Sequence, residues 1–84
     1  MTLRVLYFAW LRERIGLGSE EVETEATDLA GLVEELKARE PRYALAFSDL
    51  RAVRAAVDQT LADDLTMSIE GAREVAFFPP MTGG

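Results

Sequence analysis

Side chains that perform catalysis are scarce in this sequence. The 84 residues include no histidine and no cysteine, which excludes an imidazole base, a thiolate nucleophile and a disulfide. Carboxylates remain, but pairs such as Asp63 and Asp64 lie in polar stretches, without the apolar surroundings that would raise the pKa of one member for acid–base work. Carboxylates alone are also a poor ligand set for zinc. We therefore predict no catalytic residue, no metal site and no bound cofactor.

The one reactive group that the sequence presents is the terminal carboxylate of Gly84. Pro79 and Pro80 lack the backbone N–H that a sheet needs, so pairing of a preceding strand has to stop there. Two final glycines have no Cβ and can thread a narrow channel. Extended, residues 79–84 span roughly 20 Å. We predict a flexible tail over residues 79–84 that enters another protein's active site; the alternative is a frayed terminus. The residues expected to thread that site are Met81, Thr82 and Gly83.

This carboxylate needs help before it can react. An ordinary terminal carboxyl group has a pKa of about 3.3–3.7, so at neutral pH it is an anion and a poor acyl donor. Activated, for example as a mixed anhydride with adenylate, the glycyl group can accept sulfur or pass to an amine. Gly16-Leu17-Gly18 lacks the further glycine and the lysine of a phosphate-binding loop. The sequence therefore predicts a carrier, whose activation and ATP consumption belong to other proteins.

Hydrophobic periodicity predicts the elements that hold the tail. Residues 3–9 and 75–78 are apolar on both faces, which is typical of central strands, and residues 19–26 alternate like an edge strand with an acidic outer face. After a Thr27-Asp28 cap, apolar residues at helical spacing predict one amphipathic helix that Pro41 ends. These apolar residues are Leu29, Leu32, Val33 and Leu36.

The rest of the chain is less regular. Residues 10–15 fit a short helical turn and residues 52–62 a strand. Residues 65–73 fit a loop or a single helical turn, and residues 42–50 fit either a short helix or an irregular segment. Glu35 and Arg39 are expected to pair across one helical turn. The order strand, strand, helix, strand, strand predicts an α+β domain over residues 1–78, with a mixed sheet and one main helix across one face.

One face of that sheet lacks a predicted cover. Two central strands are apolar on both faces, whereas a single helix covers only one. We expect Leu6, Phe8, Leu61 and Phe78 to remain partly open, and contiguous exposed apolar patches usually mark an interface. The alternative is that residues 43–50 fold over this face.

The amino-acid composition limits which kinds of partner and which cellular compartment we expect for this protein. A hydrophobic content of 49% with 29% charged residues fits one small globular domain. The net charge of −6 argues against nucleic acid, because phosphate repels such a surface. The apolar run at residues 5–11 is too short to span a membrane and has no cleavage site after it. We expect a cytoplasmic protein with no membrane partner.

Three segments resemble the small, sulfur-carrier subunits of molybdopterin synthases. They are the ending VAFFPPMTGG (residues 75–84), the opening VLYFA (residues 5–9) with Arg12-Glu13, and the middle AVDQTL (residues 56–61). The Phe-Phe-Pro-Pro…Gly-Gly ending is specific, since related thiamine-pathway carriers usually share only the Gly-Gly. The resemblance implies a ubiquitin-like β-grasp fold.

The same resemblance implies a mechanism and partners. An adenylyltransferase that resembles ubiquitin-activating enzymes would adenylate Gly84, and a sulfurtransferase system would convert it to a thiocarboxylate. The tail would then enter the catalytic large subunit, in a heterotetramer, and sulfur would pass to cyclic pyranopterin monophosphate in two transfers that build the dithiolene. Asp58 departs from the family, which commonly has asparagine there. The residues expected at the docking face are Phe8, Leu61, Phe78, Pro79 and Pro80.

Other functions stay open on the sequence. The chain would carry sulfur for thiamine or for tRNA thiolation, or Gly84 would form isopeptide bonds to lysines as a protein modifier does. A plain interaction domain with an idle tail is the remaining alternative.

Overall fold

Within residues 1–80, which the computed structural model describes, five strands form one mixed sheet and three helices cover one of its faces. The α+β class is as predicted, with two short helices added to the main one. The strands are β1 (Thr2–Tyr7), β2 (Ser19–Glu23), β3 (Arg54–Val57), β4 (Thr60–Leu61) and β5 (Glu74–Phe78). The helices are α1 (Ala9–Ile15), α2 (Leu29–Arg39) and α3 (Pro41–Ala46), with a 3₁₀ turn at Leu50–Ala52.

The two strands that are apolar on both faces lie side by side at the centre of the sheet, and the sequence predicted this central position for both. The sheet order is β2-β1-β5-β3-β4, and β1 runs parallel to β5 with Val5 opposite Val75. β2 is an antiparallel edge strand, and it ends at Glu23, earlier than its alternating pattern predicted. Because β5 pairs with β1 on one side and with β3 on the other, the strand that leads to the tail is the centre of the sheet.

The main helix begins and ends where its sequence signals predicted. Asp28 caps α2, since its Oδ1 accepts a hydrogen bond from the Gly31 N–H at 2.8 Å. The four apolar residues at helical spacing are all fully buried. Glu40 is extended, and Pro41 starts α3 at a position where its missing N–H costs nothing.

The expected ion pair between Glu35 and Arg39 is wrong. The Thr24 hydroxyl donates to Glu35 Oε1 at 2.6 Å, which draws this carboxylate towards the end of β2. Arg39 instead lies 3.5 Å from Glu20 Oε1. Both side chains thus contact residues of other elements instead of each other. An ion pair within α2 would have been worth only a few tenths of a kcal/mol.

Within residues 42–50, the first five belong to α3 and the others lead into the 3₁₀ turn, and the buried side chains of this segment lie on the covered face. Tyr43 and Phe47 are fully buried, and the Phe47 ring packs edge-on against Phe77 with centroids 5.0 Å apart. The alternative in which this segment closes the other face of the sheet is therefore wrong.

Residues 52–62 do not form one strand. The segment divides into the end of the 3₁₀ turn, β3 and the two-residue β4, with a tight turn at Asp58-Gln59. Both turn residues have positive φ, 48° and 71°, as in the hairpin turns whose twist matches that of paired strands. Asp and Gln are not the usual Asn-Gly pair, so the turn lacked its strongest sequence signal.

Candidate functional site

A row of apolar side chains crosses the sheet on the face opposite the helices. In register, Leu6 of β1 lies beside Ala76 of β5, Ala76 beside Ala56 of β3, and Ala56 beside Leu61 of β4. Side chains alternate along a strand, so this row points away from the buried Val5 and its neighbours. Two small alanines in the middle leave a shallow depression between the larger ends of the row.

Phe8 and Phe78 extend this apolar row towards the end of β5. They line a groove of about 610 Å³ on the open face, together with Leu6, Ala56, Ala76 and the two prolines. Leu61 lies at the end of the row, outside this groove. Phe8 is 48% exposed and Leu61 is 63% exposed. Within residues 1–80 no helix or loop covers this surface. All five predicted docking residues, Leu61 included, lie on this side of the domain.

A strained residue holds Phe8 outward. Ala9 has a φ of 54°, in the left-handed region that a residue with a Cβ seldom adopts. The chain turns there from β1 into α1, while the Phe8 N–H stays on the sheet by donating to the Phe77 carbonyl at 3.1 Å. The side chain of Phe8 is consequently left at the rim of the groove.

Polar and charged residues border the groove at two ends. Glu74 and Gln59 line it near the start of β5. At the opposite end Arg54 is exposed and lies directly beside Phe78 in the β3–β5 register. The arrangement is an apolar strip with a carboxylate at one end and a guanidinium at the other, which suits a protein surface better than a small charged ligand.

The described chain reaches the point where the predicted tail begins. β5 stops at Phe78, and Pro79 and Pro80 continue along the groove, half-buried, without strand pairing. Met81, Thr82, Gly83 and Gly84, predicted to thread and to carry the reactive carboxylate, lie outside the described residues. The boundary between a domain at residues 1–78 and a tail at residues 79–84 therefore stays a prediction.

Asp58 makes contacts that the sequence did not predict. Its Oδ1 accepts hydrogen bonds from the backbone N–H groups of Arg73 and Glu74, both at 2.9 Å. Its own N–H donates to the Glu74 carbonyl at 2.9 Å. The sequence marked Asp58 only as a departure from the family; its place in a two-residue turn beside the start of β5 was the missing information.

The most perturbed groups lie on the covered face, away from the groove. Burial, with hydrogen bonding to Glu20, raises the pKa of Tyr7, and the same causes raise the pKa of Tyr43. Both phenols donate to Oε2 of Glu20, at 2.8 and 2.7 Å. This cluster ties β1, β2 and α3 together and has no access to the groove, so it stabilises the fold.

Residues 1–80 provide an apolar binding surface with Glu74 at one end and Arg54 at the other. In that part of the chain no cluster of three or more carboxylates is arranged to hold a metal ion. None of its helices is long and apolar enough to cross a membrane. What the arrangement can do is dock an apolar partner surface and direct the following residues towards it.

Comparison with known sequences gives full-length matches. The model of the ThiS family matches residues 5–84. A protein of Escherichia coli (strain K12) named molybdopterin synthase sulfur carrier subunit is 39% identical over 82 residues, covering 98% of this chain and 99% of that protein. A protein of Haemophilus influenzae with the same name is 35% identical over the same shares of the two chains.

Solved structures share the fold. SAMP1 from Haloferax volcanii has a TM-score of 0.74 at 19% identity, with both chains fully covered. A putative molybdopterin converting factor, subunit 1, from Pyrococcus furiosus has a TM-score of 0.71 at 26% identity, covering 96% of this chain and 99% of that one. A chain in the complex of subunits 1 and 2 of molybdopterin-converting factor from Helicobacter pylori gives 0.63 at 23% identity, with full coverage of both. These likenesses confirm the predicted ubiquitin-like β-grasp fold.

Proposed function

The chain belongs to the ThiS family, and on that premise we propose that it is the sulfur-carrier subunit of a molybdopterin synthase. The observation that carries the proposal is the full-length similarity to relatives with that name, joined to an apolar groove that runs to Pro79 and Pro80. The groove docks the partner, and the residues beyond it deliver the cargo.

The cargo is sulfur bound to the carbonyl carbon of Gly84. In the activation step a carboxylate oxygen of Gly84 attacks the α-phosphorus of ATP, and pyrophosphate leaves. Hydrosulfide then attacks the acyl carbon, and AMP leaves with the oxygen that joined it to the glycine. If the sulfur arrives as a persulfide, the first product is an acyl disulfide, and a second thiol has to reduce its S–S bond, forming a disulfide with the donor's thiol, to release the thiocarboxylate. The product is a thiocarboxylate. This group can donate its sulfur, whereas the original carboxylate is a poor acyl donor.

The catalytic steps belong to partners. Gly84 is activated by an adenylyltransferase of the ubiquitin-activating type, which consumes ATP, and a sulfurtransferase system supplies the sulfur. The large subunit binds the loaded tail and transfers the sulfur to cyclic pyranopterin monophosphate, within a heterotetramer. The carrier itself is not an enzyme and holds no cofactor, and the need for ATP places it in the cytoplasm.

Docking by an apolar face suits a carrier that has to bind and leave repeatedly. Phe8, Leu61 and Phe78 supply the aromatic and aliphatic anchors that commonly dominate the energy of an interface. The alanines between them allow a close approach of the partner backbone. Pro79 and Pro80 then lead the tail away in an extended conformation, because their φ angles are fixed near −65°.

A reconstituted loading reaction tests this function. The chain is incubated with the adenylyltransferase, ATP and a sulfur donor, and its intact mass is measured. We expect one oxygen to be replaced by sulfur, and addition of the large subunit with cyclic pyranopterin monophosphate should restore the original mass. A variant that lacks Gly84 is the matched control; replacement of oxygen by sulfur in that variant would refute the assignment.

The other candidate functions can be distinguished by the partner that receives the sulfur or the glycyl group and by the product that forms. Loading without transfer to the pterin, but with transfer to a thiamine precursor or to tRNA, would indicate a carrier for those products. The fold shared with SAMP1 suits a protein modifier equally well. Adducts of higher mass that resist reductant, formed through Gly84 and target lysines, would favour that role.

A further inference from the structure

The apolar pattern of β5 does not by itself fix how β5 pairs with its neighbours. Val75 and Phe77 are fully buried on the covered face, whereas Ala76 and Phe78 lie on the open face. In most half-buried strands a slip by one residue would put polar side chains into the core and is thereby prevented. In β5 a slip would exchange one apolar pair for another.

Such a slip would nevertheless be costly for a carrier. Each residue of a strand advances the chain by about 3.3 Å, so the tail would be displaced by that distance relative to the groove. Phe78 would turn into the core and Phe77 would turn out. Since reacting atoms have to be placed within about 3–3.5 Å of each other, a displacement of this size would misplace the terminal carbonyl group.

Polar contacts at the start of β5 supply the missing constraint. Asp58 makes three hydrogen bonds at this point, all at 2.9 Å. Its carboxylate accepts two of them, from the N–H groups of Arg73 and Glu74, and its own N–H donates the third to the Glu74 carbonyl. From the other side the Arg4 N–H donates to the Arg73 carbonyl at 2.9 Å. A slip by one residue would move both N–H groups by about 3.3 Å, so the carboxylate would lose at least one of its two donors.

The backbone of Asp58 is adapted to this contact at a cost. Its φ of 48° is disfavoured for a residue with a Cβ, and glycine is the residue that adopts it freely. The neighbouring Gln59, with a φ of 71°, also lies in the left-handed region, and none of the hydrogen bonds between side chain and backbone in residues 1–80 involves its side chain. Both residues belong to the turn, but only the Asp58 side chain bonds to the start of β5. Substitutions at the two positions therefore distinguish the role of the turn from the role of the carboxylate.

We propose that Asp58 is a positioning residue that fixes the register of β5 and thereby places the tail relative to the open face. The register itself is a property of this domain; only its consequence for sulfur transfer rests on the proposed function. A carboxylate is suited to the task because hydrogen bonds to a charged acceptor are about twice as strong as those between neutral groups.

The test compares Asp58→Gly with Gln59→Gly. Glycine accepts positive φ at either position, so both variants keep the turn, but only the first removes the carboxylate. Amide exchange at Arg73 and Glu74 and cross-strand nuclear Overhauser contacts between Ala55 and Phe77 are measured by NMR. We expect Asp58→Gly to exchange about 10-fold faster or more at the two amides and to show a second set of contacts, from Ala55 to a neighbour of Phe77. We expect Gln59→Gly to match the parent.

Rescue and folding controls complete the design. Asp58→Asn keeps one acceptor oxygen and should restore the single register; equal loss in the asparagine and glycine variants would overturn the proposal. If Asp58→Gly does not fold, the double variant with glycine at both positions has an ideal turn and is measured instead. A single native register with unchanged exchange in Asp58→Gly, or in the double variant where that is measured instead, would also overturn it.

The consequence for transfer is measured separately. Loaded parent and Asp58→Gly chains are given to the large subunit with the pterin, and the rate of sulfur release is compared. A register defect by NMR with no transfer in the parent would refute the proposed function alone. A slower release in Asp58→Gly that Asp58→Asn restores supports both.

Discussion

Phe77 and Phe78 are adjacent in the sequence and lie on opposite faces of the sheet. Phe77 is fully buried between Tyr7 and Phe47, with ring centroids 6.3 and 5.0 Å away. Phe78 is half-buried and lines the groove beside Arg54. One dipeptide thus serves both the core and the open face, which allows the two roles to be separated by mutation.

Phe77→Ala and Phe78→Ala should have opposite consequences. Loss of Phe77 removes a fully buried ring and should lower the free energy of unfolding by about 3–5 kcal/mol. Phe78→Ala should cost about 1 kcal/mol or less, yet weaken binding of the large subunit by at least about 30-fold, equivalent to about 2 kcal/mol. Denaturant unfolding and calorimetric titration measure the two effects. Equal stability losses with unchanged binding would contradict the assignment of the faces.

Leu61 and Leu45 offer a matched pair on the two sides of the domain. They are 63% and 66% exposed, so a charge at either site should change stability by no more than about 0.5 kcal/mol. Leu61 lies in the row of the open face, while Leu45 belongs to α3. We predict that Leu61→Asp abolishes binding of the large subunit and that Leu45→Asp leaves it intact. The reverse order of effects would place the interface on the helical side.

Ala9→Gly should stabilise the domain. The φ of 54° at Ala9 is strained for alanine and unstrained for glycine, so the substitution should raise the free energy of unfolding by about 1 kcal/mol. Thermal unfolding measures the change, with Ala44→Gly in α3 as the control, which should destabilise by a similar amount. A decrease in stability for Ala9→Gly would show that the turn after Phe8 does not require this conformation.

The buried tyrosines predict a loss of stability in alkali. Burial and Glu20 raise the pKa of Tyr7 and of Tyr43 above the ordinary value of 10.0. Above that value the unfolded chain releases both phenolic protons while the folded chain keeps them, so stability falls as pH rises. Tyr7, whose pKa is raised strongly, should contribute about 1.4 kcal/mol per pH unit, and Tyr43 should add to the loss in the same direction.

Tyr7→Phe isolates one of these contributions. Above a pH of about 10 its free energy of unfolding should fall with pH by about 1.4 kcal/mol per unit less steeply than that of the parent. Urea unfolding at several pH values gives the slopes. Identical slopes would mean that Tyr7 titrates in the folded domain as it does in the unfolded chain.

Periodicity predicted the parts of the fold in which side-chain burial decides the structure. The stripe from Leu29 to Leu36 can bury its apolar residues in only one orientation of the helix. The doubly apolar residues 3–9 and 75–78 fit only the centre of a sheet, although their pattern does not fix the register. The central position of β1 and β5 followed from their apolar residues on both faces, and the openness of the sheet face around Leu6 followed from counting how many faces one helix can cover.

Backbone conformation and distant polar contacts could not be predicted in the same way. Asp58-Gln59 forms a turn without glycine or asparagine, so residues 52–62 had no visible break. Glu20 was one of several acidic residues with nothing local to mark it, and only folding brings Tyr7 and Tyr43 to its carboxylate. The Asp58 contact with Arg73 and Glu74 spans 15 and 16 residues of sequence and depends on the hairpin that the pattern did not reveal.

The mass of the C-terminal peptide isolated from cells tests the central claim most directly. If the chain is a sulfur carrier, a fraction of that peptide should carry sulfur in place of one oxygen at Gly84, and the fraction should rise when the large subunit is absent and the cargo cannot be delivered. A peptide that carries only the ordinary carboxylate under both conditions, in cells that make molybdopterin through this chain, would contradict the account.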